Sequence, residues 1–321
     1  MAGGAQRCGE GGEGGNVLTD WTGGQAATAT LILAWALTVG AMGAALALLS
    51  YYWCYPRKLL LLSLLFSPRS KKRNRVIGII PARYMSTRFE GKPLAMILGK
   101  PMIQRTYEQA KRAKCLDDLV VATDDSRIAL CCKAFGADVV LTSSNCANGT
   151  ERCNEALKKL HKRYDIVVNI QGDEPLMEPE IIDGVVKALQ NAPDAIYSTA
   201  VSPLQPKDAH DRNRVKCIVD RNGYAIYFSR ALIPHSKTGT ASCTFPYLLH
   251  LGLQCYDADF LDVYCQLKPT PLQMEEDLEQ LKVVENGYKI KVITVHHDAH
   301  GVDSPGDVAS IEEIMHRKGI S

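Results

Sequence analysis

Three fixed cations stand close together in one stretch of this 321-residue chain, IIPARYMSTRFEGKPL (79–94): Arg83, Arg88 and Lys92, with Ser86, Thr87 and Gly91 between them. Guanidinium and ammonium groups, hydroxyls and closely approachable backbone N–H groups are what a polyphosphate requires of its site. Farther along, the apolar run DIVVNI ends in Gln171, Gly172, Asp173 and Glu174. Carboxylates at the carboxyl end of a strand can hold Mg2+, which takes one or two of them and fills its shell with water and phosphate oxygens. A further carboxylate, Asp303, sits in GVDSP just before Pro305, where it or Ser304 could also cap a helix. The stretch 79–94 holds neither GxxxxGK[ST] nor GxGxxG, so a P-loop kinase or a Rossmann dehydrogenase has no anchor here.

The elements that must position these residues follow from the apolar pattern. Arg75 to Ile80 reads as a short buried strand ended by Pro81, and Pro101 to Ala113 as a helix. The connection between them is far longer than usual. In an α/β sheet it would lie at the carboxyl end of the strand, where ligands bind. Strand and helix patterns then alternate: strands at 119–124, 138–141 and 165–170, helices at 126–135, 148–164 and 178–190. This predicts a mostly parallel sheet covered on both faces. The pattern changes between roughly Tyr197 and Pro269, which we read as an inserted antiparallel lobe. It holds a hairpin turning at Asn222-Gly223, a loop at 234–244, a strand at 250–256 and a helix at 258–267. A helix at 271–286, a strand at 289–295 and a helix at 305–317 complete the chain.

Composition bounds the reading. With 46% hydrophobic and 22% charged residues the chain can bury a sizeable core, and a net charge of +2 suggests no nucleic-acid partner. Eleven cysteines lie scattered without metal-ligand spacing, as reduced thiols do. The Gly-rich residues 1–25 are expected to be disordered. Residues 26–49 are almost wholly apolar and uncharged, long enough to cross a hydrocarbon core of roughly 30 Å. Aromatic Tyr51, Tyr52, Trp53 and Tyr55 follow, then a basic linker through residue 74, with the globular domain from 75 to 321. An acidic start excludes an ordinary signal peptide and an Arg-rich transit peptide, leaving a retained single-pass anchor with the globular domain in the cytosol.

The order of residues carries more than their types. IIPARYMSTRFEGKPL fits IIPARYxSTRxxGKPL at every fixed position, and with QGDEP, GVDSP, YFSRA, HLG and LEQL it resembles the 3-deoxy-manno-octulosonate (KDO) cytidylyltransferases, or CMP-KDO synthetases. The resemblance spans almost all of the chain after Arg75 and is strongest to membrane-anchored plant members. It implies a Rossmann-like nucleotide-diphospho-sugar transferase fold, a Mg2+ cofactor, CTP and KDO as substrates, a homodimer formed through the inserted lobe, and a mitochondrial membrane. The motif positions imply Arg83, Lys92 and Asp173 as catalytic residues, with Asp173 and Asp303 as metal ligands. Ala82, Arg83, Ser86, Arg88, Lys92, Ala122, Thr123, Asp124, Gly149 and Thr150 would hold the nucleotide, with Arg152 nearby. Gln171, Arg230, His250, Glu279 and Gln280 would hold the sugar acid. Gln254 and Lys282 depart from the bacterial pattern, which has Tyr and Arg there, and no general base is evident. Two rivals are a CMP-sialate-type nucleotidyltransferase, whose IPAR motif continues differently, and a silent anchored binding protein, which would have lost the cations or carboxylates.

Overall fold

The computed structural model describes residues 73–86, 89–237, 245–297 and 301–320. The expected disordered tail, membrane segment and most of the basic linker lie outside them, as do Thr87, Arg88 and the heart of the 234–244 loop. Among the described residues, no helix is long and apolar enough to cross a membrane.

One nine-stranded sheet runs through the molecule in the order β11-β7-β10-β6-β1-β4-β5, with β8 and β9 attached through β10. Its central strands are β1 (Val76–Ala82), β4 (Asp118–Thr123), β5 (Asp138–Leu141) and β6 (Ile166–Ile170). All four are mutually parallel where they pair. On β1, Val76 and Ile80 enter one core and Ile77 and Ile79 the other. Burial of both faces explains why the run reads as continuously apolar. Helices α1 (Met102–Ala110), α2 (Ser126–Ala134) and α4 (Pro179–Asn191) contribute Ile103, Ile128 and Val185 to the first core. Helices α3 (Gly149–Lys159), α5 (Ala258–Gln266) and α7 (Glu279–Glu285) contribute Ala156, Leu261 and Leu281 to the second.

The segment expected to form an inserted lobe is shared with the main sheet. Strand β7 (Tyr197–Pro203) lies parallel to β11 (Ile290–Thr294), and β10 (Leu248–Asp257) runs antiparallel between β6 and β7. Only β8 (Lys216–Val219) and β9 (Ala225–Ser229) project as a ribbon from the first residues of β10. In the ribbon's turn Gly223 alone takes a positive φ, 74°. Asp220 Oδ1 holds the turn by accepting from the N–H groups of Asn222 and Tyr224, so Asn222 needs no left-handed conformation.

Two boundaries differ from the sequence pattern for identifiable reasons. The helix expected at 271–286 is two, α6 (Pro271–Glu276) and α7, broken at Asp277 with φ 51°. The fold also begins before residue 75. Arg73, assigned to the basic linker, has its side chain enclosed at the base of the sheet. Its Nε donates to Asp257 Oδ2 (3.2 Å), Nη1 to Leu189 O (2.5 Å) and Ala192 O (3.2 Å), and Nη2 to Ala195 O (2.7 Å). The carbonyls left open where α4 ends are thus satisfied by a cation, which the helix dipole also favours.

Candidate active site

The loop after β1 is built to come close to its neighbours. Gly91 takes φ 67°, and its N–H donates to Tyr84 O, folding the loop back so that a short 3-10 turn, Lys92–Leu94, can begin. A small hairpin, β2 (Met96–Ile97) and β3 (Lys100–Pro101), then leads into α1. Against it packs α8 (Pro305–Arg317), through a separate core of Ile97, Met102, Val302 and Ile311. The start of α8 is a capping box between Ser304 and Asp307, so Ser304 and not Asp303 is the cap. The N–H of buried Val302 donates to Asp173 O at 2.9 Å, bringing the two acidic turns together.

Lys92 lies between the two carboxylates. Its Nζ is 2.6 Å from Asp173 Oδ2 and 3.6 Å from Asp303 Oδ1. The pair of carboxylates therefore converges on one small cation, with part of each still open to water. Hard oxygen donors in that number suit Mg2+, which keeps several waters and substrate oxygens in its shell. Among the described residues no cluster of three or more His, Cys, Asp or Glu side chains could cage a metal by protein alone.

Two cavities meet at these carboxylates. The smaller, about 330 Å³, is lined by Ala82, Arg83, Ser86, Lys92, Gly149 and Arg152 among others. Arg83 is exposed at its rim and has no hydrogen-bond or ion-pair partner among the described residues. The amino end of α3 also faces this cavity through Asn148 and Gly149, presenting N–H groups and the positive end of the helix dipole. The cap of that helix is Asn148, whose Oδ1 accepts from Glu151 N (2.8 Å) while Glu151 Oε2 accepts from Ala147 N (2.9 Å). Capping thus accounts for Asn148 and Glu151.

Four expected nucleotide contacts are placed otherwise. Ala122 and Thr123 are buried at the end of β4 and line neither cavity. Asp124 faces Arg152, whose Nη2 is 3.4 Å from Asp124 Oδ2. Thr150 is buried with its hydroxyl given to Glu279 Oε2, and it also meets Tyr256 Oη (3.2 Å). What Thr150 can offer a nucleotide is its backbone.

The larger cavity, about 590 Å³, is lined by Gln171, Glu174, Arg214, His250, Gln280 and Asp307, and shares Gln171, Asp173 and Asp303 with the first. Gln171, His250 and Gln280 are therefore brought together as expected, but two partners are not. Glu279 lines the smaller cavity, its carboxyl raised above the usual range by burial, with the Thr150 hydrogen bond opposing. Arg230 lines neither cavity. Its Nε donates to Glu276 O (2.7 Å), Nη1 to Arg212 O (3.2 Å) and Nη2 to Asp277 O (3.0 Å), so its guanidinium is spent closing the end of α6.

His250 is neutral. Burial pushes its imidazole down to about 4. Thr199 Oγ1 donates its single proton to Leu253 O (2.7 Å), so the 2.8 Å contact with His250 must be an Nε2–H donated to that hydroxyl. Nδ1 is then an acceptor. Glu174, which the sequence showed only as the turn residue before Pro175, is pushed up to about 8 by burial first and by Asp173 and Asp303. Arg214 and Lys92 pull the other way. A Cβ on Gly301 would come within 3.2 Å of Glu174 Oε1, so that glycine allows the close approach.

A cation-lined cavity and an acid-lined cavity, joined at paired carboxylates at the strand ends of a doubly covered sheet, have the form that an α/β nucleotidyltransferase needs. Residues 77–290 match the family model of the cytidylyltransferases. The chain is 69% identical over 254 residues to the mitochondrial 3-deoxy-manno-octulosonate cytidylyltransferase of Arabidopsis thaliana, covering 79% of this chain and 88% of that protein. It is 51% identical to the 3-deoxy-manno-octulosonate cytidylyltransferase of Protochlamydia amoebophila, over 74% of this chain and 93% of the other. Among solved structures, a CMP:2-keto-3-deoxy-manno-octonic acid synthetase complexed with CTP superposes with a TM-score of 0.72 at 33% identity. That match covers 76% of this chain and 99% of the other. This chain belongs to the 3-deoxy-manno-octulosonate cytidylyltransferase family.

Proposed function

We propose that the chain transfers CMP from CTP to KDO, releasing pyrophosphate. The observation that carries this reading is the meeting of the two cavities at Gln171, Asp173 and Asp303, where an attacking hydroxyl and an α-phosphorus could be brought face to face. The anomeric hydroxyl attacks phosphorus in line and the pyrophosphate oxygen leaves, a reaction governed by positioning and by stabilisation of spreading phosphate charge. Lys92 and Arg83 supply positive charge on the triphosphate side, together with the amino end of α3. Asp173 and Asp303 would hold Mg2+, and when bound it would polarise the phosphate and orient the nucleophile. His250 Nδ1 and Gln280 receive sugar hydroxyls on the far side. The test is pyrophosphate release by the full chain with CTP, comparing KDO with sialic acid, with and without Mg2+. Turnover with sialic acid alone would sink the KDO assignment, and undiminished turnover after chelation would remove the metal.

Three further parts of the reading concern the molecule's setting. The apolar residues 26–49 anchor the protein in a membrane, with the catalytic domain on the cytosolic side. The name of the Arabidopsis relative supports a mitochondrial address. Exposed Ile226 on β9 supports a homodimer formed through the inserted lobe. Cell fractionation with protease protection, and sedimentation of the purified protein, test these points.

A further inference from the structure

The loops that follow β1 and β4 leave the sheet side by side, because Ala82 and Thr123 are register partners at the ends of two parallel strands. Two residues beyond each partner stand Tyr84 and Asp125. Asp125 is fixed on its own loop. Its N–H donates to Oγ1 of the buried Thr123 (3.2 Å), and its Oδ1 caps α2 by accepting from Arg127 N (2.8 Å) and Ile128 N (3.4 Å). The same carboxylate takes the Arg127 side chain as a bidentate fork, Nε to Oδ1 at 3.0 Å and Nη2 to Oδ2 at 2.6 Å. A cap does not require this second pairing, and an exposed ion pair contributes little to stability. What the pairing does is aim the guanidinium. Its Cζ lies over the ring of Tyr84, 3.2 Å from the centroid.

Tyr84 in turn closes the loop after β1. The residue is half-buried and packs on the first core. Its carbonyl accepts from Gly91 N at 2.9 Å, and a Cβ on Gly91 would come within 3.2 Å of the ring's Cε2, Cζ and Oη. Ring and backbone meet there because residue 91 carries no side chain. Asp125, Arg127, Tyr84 and Gly91 thus form one chain of contacts from the start of α2 to the loop. The two cations of the smaller cavity are the sequence neighbours of its last two members: Arg83 precedes Tyr84, and Lys92 follows Gly91. Tyr84 and Arg127 themselves line neither cavity. A guanidinium outside the cavity, stacked on the ring that closes the loop, bears on a bound triphosphate through where Arg83 and Lys92 stand.

We propose that Arg127, aimed by Asp125, is a positioning residue for the triphosphate: stacked on Tyr84, it holds the loop closed at Gly91 so that Arg83 and Lys92 face the nucleotide cavity. The inference rests on the reading of that cavity as the CTP site. The test is steady-state pyrophosphate release by the full chain, with CTP varied at saturating KDO and KDO varied at saturating CTP, alongside thermal melts. Arg127→Ala should raise the KM for CTP about 3- to 10-fold, the range for one cation–π contact, and leave the KM for KDO within about twofold. Its melting temperature should stay close to that of the wild type. Arg127→Lys keeps a cation for the ring and should recover part of the loss. Tyr84→Leu keeps an apolar contact with the core and should raise the CTP KM at least as far as Arg127→Ala, whereas Tyr84→Phe, which keeps the ring face, should lose less. In the Tyr84→Leu background, Arg127→Ala should add less than about twofold, since its partner is already gone. An unchanged CTP KM in folded Arg127→Ala overturns the proposal, as does a loss shared equally by CTP and KDO. A full Arg127→Ala effect persisting in Tyr84→Leu also overturns it, by putting the guanidinium directly on phosphate. Failure of the wild type to release pyrophosphate from CTP with any sugar acid overturns the functional reading itself.

Discussion

The cavity beside Lys92 and the cavity beside Arg214 differ in how the chain builds them. The first draws Arg83, Ser86 and Lys92 from the segment after β1 and sets beside them the start of one helix at Asn148. The second gathers the turn before β8, the middle of β10, Gln280 at the start of α7 and the turn before α8. The first is cationic on its triphosphate side, the second acidic with a single fixed arginine among its described lining. A polyphosphate can be bound by charge and backbone N–H groups that one loop supplies in order. A sugar acid needs acceptors at several separated points, and only the packed fold can place them together.

Substitution at the junction should affect both cavities and have the largest effect. Asp173→Asn is expected to lower turnover about 10³-fold, in the range of a lost group that stabilises transition-state charge. It also removes the 2.6 Å pair with Lys92, but a partly exposed pair contributes about 1 kcal/mol or less, so the melting temperature should hardly move. Pyrophosphate release and thermal melts measure the two effects separately. If the variant unfolds instead, the carboxylate serves the fold and not the reaction.

On the nucleotide side alone, Lys92→Ala should lower kcat and weaken CTP together, reducing kcat/KM by two to three orders of magnitude. A cation on phosphate acts in both ground and transition states. Because the variant also removes the cation that lies between Asp173 and Asp303, its stability should improve on adding Mg2+. Equilibrium binding of CTP together with kinetics decides the matter, and unchanged affinity would take Lys92 off the triphosphate.

The acid side carries a stability signature through His250. Its folded pKa, about 4, lies below the usual 6.5, so between those values the unfolded chain binds more protons than the folded one. The stabilising contribution is therefore complete above pH 6.5 and is lost as pH falls toward 4, by up to about 3 kcal/mol. In His250→Gln the denaturation free energy should fall less steeply through that window. Equal slopes in the two proteins would mean that the imidazole is not held neutral.

A change remote from both cavities bounds the comparison. Arg73→Ala should cost about 2 kcal/mol by leaving Asp257 and three carbonyls short of a donor, with kcat and both KM values unchanged at 25 °C. Urea titration reads the loss, and altered kinetics in the folded variant would couple the base of the sheet to the site.

What the sequence by itself determined was the central sheet, the nucleotide loop and the acidic turns. The periodicity of buried strands and the fixed order of IIPARYMSTRFEGKPL and QGDEP are local properties that survive without tertiary context. Tertiary structure decided the rest. It threaded β10 between β6 and β7, where strand pairing depends on partners far along the chain. It enclosed Thr150 and Thr123 in the core, although both types are ordinarily exposed. Between two arginines of like type, it placed Arg214 in the acid-lined wall and closed Arg230 onto helix carbonyls. A guanidinium reads the same in any sequence. Whether it is spent on the fold or left for a ligand depends on which acceptors the folded chain brings within about 3 Å of it.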